Sequence, residues 1–245
     1  MISEEKQKIA DFLDLAGDFL TTGYRGEQKE YNFDESPDTA EDITLNNSQN
    51  INNSYNNDSL DKITAEIKSC HNCILASTRK NTVPGEGVMN PLVMVIGEGP
   101  GADEDRQGRP FVGNAGQLLD KMLSSINLSR TGNCFIANVV KCRPPNNRDP
   151  RPDERNACSH FLKRQIALIK PKFILLVGNI AAQSVLNSRE PVGRLRGKFF
   201  DFNIGDMIIP LMVTYHPSAL LHNEDYKRPA WEDLKLLRTR IEGRE

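Results

Sequence analysis

Four cysteines stand as two pairs far apart in the chain. Cys70 and Cys73 form a C-x2-C pair, and Cys142 and Cys158 follow with fifteen residues between them. Four thiolates so spaced can hold zinc tetrahedrally or an iron–sulfur cluster. The irregular second spacing suits a cubane cluster better than a zinc knuckle. Buried thiols with no metal are the third reading, because cores accept cysteine readily. Cys134 lies in an apolar run and reads as core. An odd count of five cysteines, in a chain whose first residues (MISEEKQKIADFLDL) carry acids where a signal peptide is basic, argues against a disulfide framework.

Polar residues with chemical potential cluster after apolar runs. GEGPGADED (Gly97–Asp105) precedes GRPFVGNAG (Gly108–Gly116), and such glycines let backbone N–H groups approach a ligand closely. The pattern matches neither the phosphate loop nor the dinucleotide fingerprint, so a plain structural turn explains it equally well. Phe111, set among turn-forming residues, is either an anchor into the core or a stacking platform for a base. Asn138 interrupts the apolar FIANVV; its carboxamide either ties down a neighbouring loop or meets the edge of a base. His216, in YHPS, is placed to donate a hydrogen bond to developing negative charge, or is a satisfied structural histidine.

The elements that must position these residues alternate. Leu60–Ser69 reads as a helix, Leu92–Ile96 as a buried strand, Asn114–Ile126 as a helix and Cys134–Val140 as a second strand. A long helix over Asp153–Ile169 is followed by a strand at Phe173–Val177, a helix at Ile180–Leu186, a strand at Met207–Thr214 and a helix at Pro229–Ile241. This is an α/β pattern, expected as a three-layer α/β/α sandwich around a mainly parallel four-stranded sheet. Ligands bind beyond the carboxyl ends of such strands, where GEGPG, the segment after Asn138 and HPSALLHN all fall.

The 245 residues carry a net charge of −2 that hides a split. Residues 1–61 hold 14 acids and 4 bases, whereas residues 62–245 hold 19 acids and 27 bases. The basic part is compatible with a polyanionic partner and equally with ordinary surface charge. Residues 1–22 read as an amphipathic helix, residues 23–58 as an acidic, Asn-rich disordered linker, and residues 59–245 as the catalytic domain. No apolar run reaches the roughly 18 residues of a membrane span, so no membrane partner is expected.

GEGPGADED, GRPFVGNAGQLL, NVVKCRPPNNRDPRPDE and TYHPSALL, in that order within the cysteine frame, resemble the family 4, iron–sulfur uracil-DNA glycosylases over about residues 65–242. The resemblance implies a structural 4Fe-4S cluster on Cys70, Cys73, Cys142 and Cys158. It implies a monomeric enzyme, cytoplasmic and nucleoid-associated, that acts on uracil-containing DNA, single- or double-stranded. Phe111 would stack on the everted base, Asn138 would bond its pairing edge, and His216 would face the pyrimidine O2. Gly99 takes the place where other branches of the superfamily carry a water-orienting aspartate. Glu98, Glu104 and Asn147 are then the candidates for holding the water or the loop. Leu220 or Leu221 would wedge into the vacated stack, and Arg143 and Arg148 would contact phosphates. Two other readings compete: a non-catalytic iron–sulfur protein that binds DNA or senses uracil, and a zinc-bearing nucleotide-binding domain.

Overall fold

The computed structural model describes residues 58–243. The expected N-terminal helix and all of the expected linker except Asp58 lie outside the described residues. Asp58 is fixed in place: both its carboxylate oxygens accept from Arg164, at 2.8 and 2.6 Å, and Arg164 also pairs with Glu66. Asp58, the last residue of the expected linker, is thus tied to helix residue Arg164.

Helix α1 (Leu60–Ser69) opens on the Ser59 cap and leads into the first cysteine pair. Strands β1 (Glu86–Gly87) and β2 (Val93–Gly97) precede the short α2 (Ala102–Gln107) and α3 (Asn114–Ser124). Strand β3 (Cys134–Asn138) feeds the loop to α4 (Pro152–Ile169), β4 (Phe173–Val177) and α5 (Asn179–Leu186). Next come α6 (Val192–Leu195), β5 (Phe199–Ile204), β6 (Met207–Thr214), α7 (Pro217–His222) and α8 (Lys227–Ile241).

The sheet runs β1-β3-β2-β4-β6-β5, six strands where the sequence pattern leads one to expect four. The four expected strands are its parallel centre, β3-β2-β4-β6. The two others are antiparallel edges, β1 on β3 and β5 on β6. The centre is legible because strands covered on both faces read as continuous apolar runs.

Successive strand residues feed opposite hydrophobic clusters. Met94, Ile96, Ile174 and Leu176 pack with α1, α4 and α5. Val93, Val95, Leu175 and Val177 pack with α3, α7 and α8. With each buried aliphatic side chain worth about 1.5–3 kcal/mol, this double core fixes the carboxyl ends of β3, β2, β4 and β6 along one edge of the sheet.

Candidate active site

The loops after β2, β3 and β6 enclose a cavity of about 260 Å³. Its lining includes Phe111, Asn138 and His216 together with Glu98, Gly99, Glu104, Asn147 and Arg148. Eight expected site residues thus share one hollow. Arg143, Leu220 and Leu221 do not line it. Pro100, Gly101, Ala115, Pro144 and Ser218 complete the lining; sequence reasoning had not singled them out.

Phe111 forms one wall, its ring centroid 5.6 Å from that of His216. Its backbone sits at φ +52°, an uncommon conformation for an aromatic residue and one that must be held by its surroundings. The holders are identifiable. Arg130 donates to the Pro110 and Phe111 carbonyls at 2.9 and 2.8 Å. A Cβ on Gly116 would come within 2.0 Å of the Phe111 carbonyl, so only glycine lets α3 start this close.

Glu104 does the rest of that work. One carboxylate oxygen accepts from the N–H groups of Val112 and Gly113 at 2.8 and 3.0 Å, and the other from Gly101 at 3.1 Å. Its hydrogen bonds assign it to clasping the two glycine loops together rather than to holding a water.

Asn138 ends β3 and is only 1% exposed. Its Oδ1 has no hydrogen-bond partner. An unpaired buried amide oxygen costs about 1–3 kcal/mol, and a side chain tying down a loop would not be left so. The ligand reading is therefore the one this geometry favours. Gly97, opposite, leaves the room: a Cβ there would lie 2.5 Å from Phe111 and 2.6 Å from Asn138 Oδ1. Gly99 is equally confined, since its Cβ would meet Val140 at 2.7 Å.

His216 caps α7. Its Nδ1 accepts from the Ser218 backbone N–H at 3.1 Å, which assigns the ring proton of the neutral imidazole to Nε2. Burial pushes its pKa down to about 4, with the Glu104 charge opposing. The histidine is thus an uncharged donor at neutral pH. Gly178, at φ +97°, passes beneath it, where a Cβ would lie 2.9 Å from the His216 Cβ.

Glu98 is also shifted by burial. Burial, reinforced by Asp149 and opposed by Arg155, raises its carboxyl to about 7. It is poised to exchange a proton in the physiological range.

Three expected contacts are reassigned. Leu220 is 3% exposed and packs in the core beside α3, so it cannot reach DNA; Leu221, 49% exposed, can. Arg148 makes a bidentate pair with the fully buried Glu154, at 2.8 and 2.6 Å, and holds that carboxyl down to about 2. Its charge is committed to the mouth loop before it meets any phosphate. Asn147 sits at φ +54° and accepts from Arg143 Nε at 2.7 Å, so this pair shapes the same loop.

Cys70, Cys73, Cys142 and Cys158 line a second, smaller hollow with Arg79 and Lys141. Arg79 donates to Cys142 Sγ at 3.2 Å and the Lys141 backbone N–H to Cys158 Sγ at 3.3 Å. Among the described residues no three side chains converge tightly enough to grip a single ion. Four cysteines around one hollow, two of them accepting N–H···S hydrogen bonds, supply the donor set that a cluster takes. Cys134 lies elsewhere, buried in the opposite core.

A family model for the uracil DNA glycosylase superfamily matches residues 84–235. The chain is 43% identical to the type-4 uracil-DNA glycosylase of Saccharolobus solfataricus, covering 76% of this chain and 88% of that protein. Similarity to the type-4 enzyme of Sulfurisphaera tokodaii is also 43%, over 74% and 84%. That of Pyrobaculum aerophilum is 44% identical over 72% and 92%. The chain is a type-4 uracil-DNA glycosylase. Among the described residues, no helix is long and apolar enough to cross a membrane.

Proposed function

We propose that this uracil-DNA glycosylase takes an everted uracil between Phe111 and His216 and cleaves its N-glycosidic bond by stabilising the departing base. The observation that carries this reading is the unpartnered Asn138 Oδ1, buried in the same hollow as the Phe111 and His216 rings. The Asn138 carboxamide pairs with the N3–H and O4 edge of the base. His216 donates from Nε2 to O2, where negative charge builds as the bond breaks. A neutral donor held in place costs no reorganisation at that moment, and one such donor is worth about 10²–10³ in rate. Eversion costs a few kcal/mol of unstacking, which stacking on Phe111 and insertion of Leu221 offset.

Glu98 activates or orients the water that attacks the oxocarbenium-like sugar. Ionised above about pH 7, it also faces the positive charge that develops there. Arg143 is the freer cation of the mouth loop and takes the phosphate role. The four cysteines hold a 4Fe-4S cluster that orders the loop from Cys142 to Cys158 and performs no chemistry on the base.

Purified protein, its iron measured, incubated with single- and double-stranded uracil-containing oligonucleotides is expected to release free uracil and leave an abasic site. Tight binding without release would overturn turnover in favour of a uracil-sensing protein.

A further inference from the structure

Lys141 is an unusual core residue. Its side chain is 1% exposed and lies between the two hollows. The ammonium donates to the Asn138 carbonyl at 2.9 Å and to Gln165 Oε1 at 2.7 Å. Gln165 is itself fixed by donation to the Pro84 carbonyl at 2.8 Å. Both acceptors of the ammonium are neutral, and no carboxylate pairs with it among the described residues. A buried cation is retained only where an anion compensates it. The groups beside it that would carry negative charge as cluster ligands are Cys158 and Cys142, which line the same hollow.

We propose that Lys141 is the positioning residue that couples the cluster site to the uracil pocket. Its charge balances the net negative charge of four thiolates on a 4Fe-4S core, and its hydrogen bond fixes the main chain of Asn138, whose side chain reads the base. The inference rests on the reading of the four cysteines as cluster ligands. A lysine kept only for hydrogen bonding could be replaced by a neutral side chain without any consequence for the cluster. The same residue meets the cluster site directly: it lines the hollow, and its backbone N–H donates to Cys158 Sγ at 3.3 Å.

The test uses full-length protein purified without oxygen, with iron content, cluster reduction potential and inhibition by free uracil as readouts. Wild-type protein without iron would overturn the cluster reading, and this proposal with it. Given iron, Lys141→Met should lower the reduction potential, because a positive charge that favours the added electron is gone. It should also weaken inhibition by uracil about tenfold, the equivalent of one lost hydrogen bond of about 1.4 kcal/mol. Gln165→Glu separates the two effects and covers the case in which Lys141→Met does not fold. It adds a negative charge while leaving the Asn138 contact, so the potential should fall with uracil inhibition within about twofold of wild type. An unchanged potential in both variants that retain iron, or in Gln165→Glu alone, would refute the coupling.

Discussion

At the scale of single residues, burial drives Glu98 and His216 towards neutrality, with opposite consequences. His216 falls to about 4 and is the neutral donor at every working pH. Glu98 rises to about 7 and must lose its proton to assist the water. The kcat profile should therefore show one acid limb with a midpoint near 7, and Glu98→Gln should abolish the limb and lower kcat by about 10²–10⁴. Stability moves the other way. Because the folded carboxyl binds its proton more tightly than the unfolded one, at about 7 against 4.5, its contribution is intact below 4.5 and lost as pH rises through 7. Glu98→Gln should thus melt above wild type at pH 8 and not at pH 4; calorimetry at the two values decides it. His216→Ala removes a donor that matters most as charge develops, so kcat should drop about 10²–10³ while the Kd for uracil-containing DNA changes only a few-fold. Equal losses in both quantities would make His216 a binding residue only.

At the scale of elements, the pocket depends on how two glycine loops are clasped. Glu104 collects three backbone N–H groups and Arg130 two carbonyls, and together they keep Phe111 at positive φ. Glu104→Ala leaves those donors partly unpaired, and the expected outcome is at least a tenfold weaker inhibition by free uracil with the fold intact by circular dichroism. Undiminished inhibition would show that Phe111 holds its place without the clasp. The first of these loops is legible in sequence because it follows an apolar run at a strand's carboxyl end, and the second because Phe111 stands among turn-forming residues. The partner chosen by Glu104, Arg148 or Lys141 was not, since a charged side chain's contact is set by segments distant in sequence. Arg130 gave no local signal at all. The same logic explains the missing edges of the sheet. Glu86–Gly87 is two residues long and has no period. Phe199–Ile204 alternates Phe200, Phe202 and Ile204 inward with polar residues between, a half-buried pattern easily passed over beside the continuous runs of the centre.

At the scale of the whole molecule, charge is distributed against the substrate at one end and towards it at the other. Residues 1–61 carry a net −10 and residues 62–245 a net +8. By charge alone, the acidic N-terminal segment opposes the attraction that the basic part offers a polyanion. This opposition is long-ranged and screened over about 10 Å at 0.1 M salt. Removing residues 1–57 spares Asp58, whose pairing with Arg164 would be lost by a cut one residue later. The shortened chain should show a higher kcat/KM on uracil-containing DNA at about 20 mM salt, a steeper decline of kcat/KM with added salt, and convergence with the full chain by about 0.2 M. Because the described residues that line the cavity all fall between 98 and 218, kcat at saturating DNA should not change. A fall in kcat on truncation would mean that the acidic segment supplies part of the catalytic machinery, and electrostatics alone could not account for its charge.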